Sequence, residues 1–316
     1  MKKLIVLTII LLMVVSCQEK TKKKVDVSGI EMEVLVERFE QKFYNSNEKT
    51  LQALKNEYPY LFPTQNDSVW LNKIHNEFEL FKTSQTIFED FKEEKFQIKE
   101  LFKHVKYYHP SFKSPKIITL ITNLDYKSKV VYADSLLFVS LDMYLGKNSK
   151  VYHDFPLYLA QNFDKSHLVV DIAKAIGEHY FVSGNKRQFI DVMINEGKKM
   201  YLLDSYLPMI SDAEKIGYGS DKYEWTIANE AQIWKYFIEN KLLYSSNAEL
   251  YTRFIADAPF SKFYIDIDKQ SPGKIGVWLG WQIVRSYMTN NNVTLQQLLQ
   301  ANTEEIFKNS KYKPKK

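Results

Sequence analysis

The chain has 316 residues, 45% of them hydrophobic and 15% aromatic, with a net charge of +5 at pH 7. That length buries one large core or two modest ones. The near balance of charge excludes an extended nucleic-acid surface, since the basic residues are scattered apart from the stretch Lys20 to Lys24 and the last six residues. A single cysteine excludes any disulfide within the chain, and 10 Gly and 9 Pro leave little room for long loops.

Lys2 and Lys3 form a short basic region, followed by a twelve-residue apolar run, Leu4 to Val15, too short to span a bilayer as a helix. The run ends in Val14-Val15-Ser16-Cys17. A small residue before a lone cysteine at this place resembles the lipobox of bacterial lipoproteins, here in a loose form. The resemblance implies cleavage before Cys17, acylation of its sulfur and its amine, and stable anchoring by two or three chains. Residues 1–16 then read as a lipoprotein signal peptide. Residues 17–29, polar and free of aromatics, read as a flexible membrane tether. Residues 30–316 read as a single, mostly helical domain. The anchor implies a cell-envelope protein facing the periplasm, on the inner or the outer membrane.

From Ile30 onward the apolar spacing is helical, with Val34, Leu35, Phe39 and Phe43 in phase, and breaks follow at Pro59 and Pro63. Ser68 opens a periodic run through Val69, Leu71, Ile74, Phe78 and Phe81. The next helix, from about Thr83 to Tyr108, sets Phe88, Phe91, Phe96, Leu101, Phe102 and Val105 on one face and stops at Pro110. The character then changes. The β-branched segments 116–122, 129–132 and 136–141 predict three strands in a small central antiparallel meander. Beyond Gly146, helices are predicted over 166–182, 185–204, 221–240, 246–256, 273–290 and 294–300. The fold class is α+β, predominantly α-helical; two subdomains packed across a cleft is the alternative.

The six histidines, His75, His104, His109, His153, His167 and His179, include no pair four apart, so a helical zinc pair is absent. With Cys17 lipidated no nucleophilic cysteine remains, and the common phosphate-loop and serine-nucleophile motifs are missing. Gly217-Tyr218-Gly219 reads as a turn. In LVVDIAKAIGEHYF, residues 168–181, Asp171, Lys174 and Glu178 form a polar stripe, opposed by Val169, Ile172, Ala173, Ile176 and Tyr180. Gly273, Gly276 and Gly280 share one side of a later helix and call for close backbone approach. Around them Trp278, Trp281, Ile283, Val284 and Tyr287 read as core.

The helix at 168–181 is similar in build to the H-E-x-x-H helix of zinc peptidases of the gluzincin type. Val170 stands at the first histidine, Asp171 at the glutamate and Lys174 at the second histidine. Ile194-Asn195-Glu196-Gly197 resembles the segment that supplies the third, carboxylate ligand. The strand Leu136 to Leu141 stands where zincins keep the edge strand bordering the substrate. Valine offers no donor and an ammonium repels a metal, so the resemblance implies an inactive zincin-like scaffold with no metal, no cofactor and no catalytic residue. Lys174 is then expected opposite Glu196; otherwise it is exposed and pairs with Glu178 one turn on.

Three later blocks, 224–239, 242–245 and above all PGKIGVWLGWQIVRSYM at 272–288, extend the likeness. With the lipobox and the helix at 168–181 they resemble the gliding-motility lipoprotein B family (GldB) of Bacteroidota over nearly the whole chain. The resemblance implies a non-catalytic, lipid-anchored component of gliding motility and the secretion machinery tied to it. Its partners would be the bilayer, through acylated Cys17, and envelope proteins of that apparatus, with no nucleic acid. The alternatives are an envelope peptidase using Glu178, His179 and Glu196 with a histidine from elsewhere, or a binding module that keeps the cleft and grips a peptide. The candidate cleft residues are Val170, Asp171, Lys174, Glu178, His179 and Glu196.

Overall fold

The computed structural model describes residues 25–266 and 268–315, so the signal sequence, Cys17 and the tether as far as residue 24 lie outside them. The end of the stretch read as tether is packed rather than free: Val27 is buried.

Residues 30–38 are not helical. Ile117 N–H donates to the Leu35 carbonyl, and Val36–Glu37 forms strand β1 on the edge of the sheet. The helix begins only at Phe39 (α1, Phe39–Tyr44), followed by α2, Leu51–Glu57. The periodic run after Ser68 is two helices, α3 (Asp67–Asn76) and α4 (Phe78–Ile87). The first is capped by Asn66, whose side chain accepts from Ser68 N–H, so the cap lies two residues before the serine. The break falls at Glu77, whose carboxylate is claimed by Lys73 and by the Tyr44 hydroxyl at 2.6 Å. Helix α5, Lys92–Tyr108, buries Ile98, Leu101, Phe102 and Val105, but Phe96 is 65% exposed and belongs to the outer face.

The predicted strand segments form β2 (Lys116–Leu120), β3 (Val130–Ala133) and β4 (Leu136–Ser140). The sheet is mixed rather than an antiparallel meander, with the order β1-β2-β4-β3. β1 and β4 run parallel to β2, and only the β3–β4 hairpin is antiparallel. The reason lies in residues 121–129. Asn123 and Leu124 are both left-handed, and the buried Asp142 carboxylate accepts from Thr122 N–H and Leu124 N–H. This folded loop carries the chain past the neighbouring position, and β4 returns to fill it. The strand 136–141 is therefore interior, and β3 is the edge opposite β1.

The remaining helices are α6 (Leu157–Ala160), α7 (Leu168–Tyr180), α8 (Phe189–Tyr206), α9 (Asp212–Ile216), α10 (Ser220–Ala228), α11 (Glu230–Glu239), α12 (Glu249–Phe254), α13 (Ile275–Asn290), α14 (Leu295–Gln300) and α15 (Thr303–Ser310). The helix predicted over 221–240 is interrupted at Asn229, whose side chain donates to the Trp225 carbonyl. Helix α15, capped by Asn302, lies beyond the predicted set.

The centre of the core is the crossing of α8 and α13. Gly197 and Gly280 meet there backbone to backbone, and a Cβ on Gly280 would fall inside the van der Waals shell of the Met193 carbonyl. Trp278, Trp281, Ile283, Val284 and Tyr287 are all buried, as their apolar bulk predicts. Arg285 on α13 donates two hydrogen bonds to Asp204 on α8, both 2.7 Å, and two to Asp212 on α9; Lys215 adds a second cation at 3.0 Å from Asp204. Helix α7 packs between α8 and the edge strand β3.

Candidate functional site

Helix α7 follows a short turn, Lys165–His167, in which the Asp164 side chain accepts from Ser166 N–H. This turn and the first coils of α7 stack His167, Asp171 and Lys174 on one face, at i, i+4 and i+7. His167 and Asp171 are buried, whereas 38% of the Lys174 side chain is open to a cleft.

Asp171 is the hub. Its carboxylate accepts from Lys129 Nζ at 2.5 Å, from the Tyr144 hydroxyl at 3.0 Å and from Lys174 Nζ at 3.4 Å. Lys129, which precedes β3, also lies over the Phe163 ring. Lys174 Nζ sits 3.2 Å from His167 Nε2, and His167 Nδ1 lies 3.3 Å from Glu214 Oε1. A lysine ammonium only donates, so the network assigns His167 as the neutral tautomer that donates from Nδ1 to Glu214 and accepts at Nε2.

The electrostatics agree. Burial, with Lys174 close by, pushes the His167 imidazole below its ordinary value. Burial alone would raise the Asp171 carboxyl, but His167 once protonated at acid pH, together with Lys174 and Lys129, more than reverses this and holds it well below the carboxylate range. Burial lowers the Lys174 ammonium against the pull of Asp171, and Lys274 and Lys129 lower it further. The hydrogen bond from His167 lowers Glu214.

The cleft, of about 440 Å³, lies between α7, α8, the start of α13 and residues 251–257. Lys174, Glu178, Glu196, Lys199 and Lys274 line it, with Leu203, Ile255 and Val277 supplying apolar wall. Lys199 bridges Glu178 at 2.8 Å and Glu196 at 3.3 Å. At the other end Lys274 pairs with Asp257 at 2.9 Å. Beyond that pair lies a second hollow of about 240 Å³, which shares Asp257 and Lys274 and is also lined by Tyr158 and Lys222.

The structure thus brings together three of the six predicted residues, Lys174, Glu178 and Glu196, around one cavity. Asp171 lies beneath the cleft. Val170 is wholly buried in the core, and His179 stands outside, edge-on to Tyr132 and 3.6 Å from Asp134 beside the sheet edge. The predicted contact between Lys174 and Glu196 is not made, nor is one to Glu178. Lys174 turns inward because Asp171 and His167 offer it buried partners on its own helix face. Glu196 and Glu178 are taken by Lys199. His167, Glu214, Lys129 and Lys274 were absent from the predicted site. His167 had a local signal, one turn before Asp171; Lys129 and Lys274 arrive from distant segments and had none.

A zinc ion does not fit the positions that a zincin would use, since Val170 has no donor and Lys174 is a cation bonded to its neighbours. Among the described residues no group of three His, Cys, Asp or Glu side chains is placed to hold a metal. What the arrangement offers instead is a fixed, partly desolvated ammonium at the floor of a cleft.

A family model described as gliding motility protein GldB matches residues 20–314. No curated protein and no solved structure matches the chain.

Proposed function

The chain belongs to the gliding motility protein GldB family, which gives it a role in gliding motility, and from that premise we propose that it is a lipid-anchored, non-catalytic component of the gliding machinery and its associated secretion apparatus. Its work is binding: it holds a peptide segment in the cleft beside α7, on a scaffold of zincin-like build, without cutting it.

The observation that carries this reading is the place of Lys174. At the position of a metal ligand it supplies a cation of its own, tied to Asp171 and His167. The build of the scaffold is supported by helix α7 itself, which packs between α8 and an antiparallel edge strand, although that strand, β3, contributes no residue to the cleft. Among the described residues no helix is long and apolar enough to cross a membrane, which accords with attachment through Cys17. The peptidase alternative needs Glu178, His179 and Glu196 to converge, whereas His179 is not among the residues lining the cleft.

The test is metal content together with motility. Full-length lipoprotein, extracted in detergent and purified without chelator, is expected to carry zinc far below one equivalent. A deletion strain complemented with Glu178→Gln/Glu196→Gln is expected to glide. Stoichiometric zinc, or peptide cleavage lost in that double variant, would overturn the non-catalytic reading.

A further inference from the structure

Two ammonium groups share one end of the cleft, and neither has spent all its donors. Lys174 donates to His167 Nε2 at 3.2 Å and to Asp171 Oδ1 at 3.4 Å. Lys274 donates to the Ile216 carbonyl at 3.2 Å and pairs with Asp257 at 2.9 Å. An ammonium has three N–H groups, so among the described residues each keeps one for the cavity that both line. Lys129 stands behind them on Asp171. Lys274 and Lys129 both disfavour the charge on Lys174 against the pull of Asp171, and three ammonium groups here face two carboxylates, Asp171 and Asp257.

The opposite end has the reverse sign. Glu178 and Glu196 share the single ammonium of Lys199. Along α7, Lys174 and Glu178 are one turn apart, about 6 Å. The cavity is therefore polarised over the length of a peptide unit or two, positive at Lys174 and Lys274 and negative at the two glutamates. The wall between is apolar: Met200, Leu203, Ile255 and Val277.

We propose that the Lys174–Lys274 end is a carboxylate-binding subsite, which takes the carboxylate of a peptide, from its C-terminus or from an Asp or Glu side chain, and seats the adjoining apolar residue against Met200, Leu203, Ile255 and Val277. This rests on the peptide-holding reading of the cleft. A carboxylate has two oxygens to accept from the N–H that each ammonium keeps. A phosphate dianion would bring a second negative charge toward Asp257 and Asp171, and there is no arginine fork in the cleft lining to hold it.

The experiment uses full-length lipoprotein in detergent and three labelled peptides: acetyl-Gly-Ala-Leu with a free carboxylate, its amide, and acetyl-Asp-Ala-Leu amide. Fluorescence polarisation is expected to show the free acid, the aspartyl amide or both binding at least tenfold more tightly than the neutral amide. Which of the two gains identifies the source of the carboxylate. Lys274→Met, and separately Lys174→Met, are expected to erase that difference while each variant keeps a cooperative melt. Acid and neutral amide binding equally would overturn the subsite and leave the peptide-holding cleft standing. Binding by none of the three peptides would remove the peptide-holding reading and the subsite with it.

Discussion

The Lys174 ammonium lies 3.2 Å from His167 Nε2, seven residues back in the chain, and the two are joined by Asp171 between them on the same helix face. A lysine expected opposite Glu196, or else exposed beside Glu178, is thus tied to two buried groups on its own helix face. Its neighbours differ in how much they depend on it.

Asp171→Asn is expected to be the more damaging change. It leaves Lys129 and Lys174 without their common anion in a buried setting, at a cost of about 3 kcal/mol. Lys174→Met removes a charge that is partly open to water and leaves Asp171 still held by Lys129 and Tyr144, so its cost should be about 1 kcal/mol. Urea midpoints of the two variants check the ordering; equal losses would contradict it.

Acid sensitivity follows from two histidines held neutral. His109, buried and stacked on Tyr180 at 3.7 Å, is pushed down to about 4 by burial, helped by His179, and burial lowers His167 as well. A lowered histidine takes up its proton in the unfolded chain first, near pH 6.5. Below that pH the unfolded state binds more protons, and stability falls as pH falls. Melting temperature should therefore drop between pH 7 and pH 5, before the depressed Asp171 carboxyl begins to titrate. His109→Gln should flatten part of that slope, by a stability of order 2 kcal/mol across the range.

The glycine crossing sets a sharper limit. Gly280→Ala drives a methyl into the Met193 carbonyl, and Gly197→Ala drives one into the Gly280 backbone; each should cost about 3 kcal/mol or more. Gly29→Ala, which meets open space, is the matched control and should leave the melt unchanged. Thermal melts of the three variants decide it.

Lys198 is buried and spends its ammonium on the Leu299 and Ala301 carbonyls. Lys198→Met should strand both acceptors at the end of α14 and cost about 1–3 kcal/mol. Faster amide hydrogen exchange confined to residues 295–303 would be the signature.

Anchoring is testable apart from the fold. Cys17→Ala should abolish incorporation of labelled palmitate, move the protein from the membrane to the soluble fraction and stop gliding in a complemented deletion strain.

The parts of this fold legible in the sequence are those set by local period. The stripe on α7, the core face of α13 and the β-branched segments at 116–120 and 136–140 all announce themselves within a few residues. Sheet order did not, because it depends on two left-handed residues, Asn123 and Leu124, of types that give little warning of that conformation, and on β1, a strand of two residues. The site divided in the same way. Lys174 and Glu178 stand out by their spacing on one helix, and Glu196 by the likeness of its segment to the third-ligand segment of a gluzincin. The rest of the site gives less warning, because Lys129 and Lys274 reach it from points remote in sequence, while Lys199 pairs with both glutamates and leaves Lys174 to Asp171 and His167.

The meeting of Gly197 with Gly280 has one more consequence. Glu196 and Lys199 flank that crossing on one helix, and Lys274 and Val277 open the other. With no side chains between the backbones, the helices have no cushion on which to slide or tilt. The two sides of the cavity behave as calliper jaws locked at one gauge. A ligand of the right width would lose only its own freedom on entering, with little loop or jaw to be ordered around it. On the peptide-holding proposal, one of the wrong width would find no give between these two helices, and size would be read there by the backbone before any charge is.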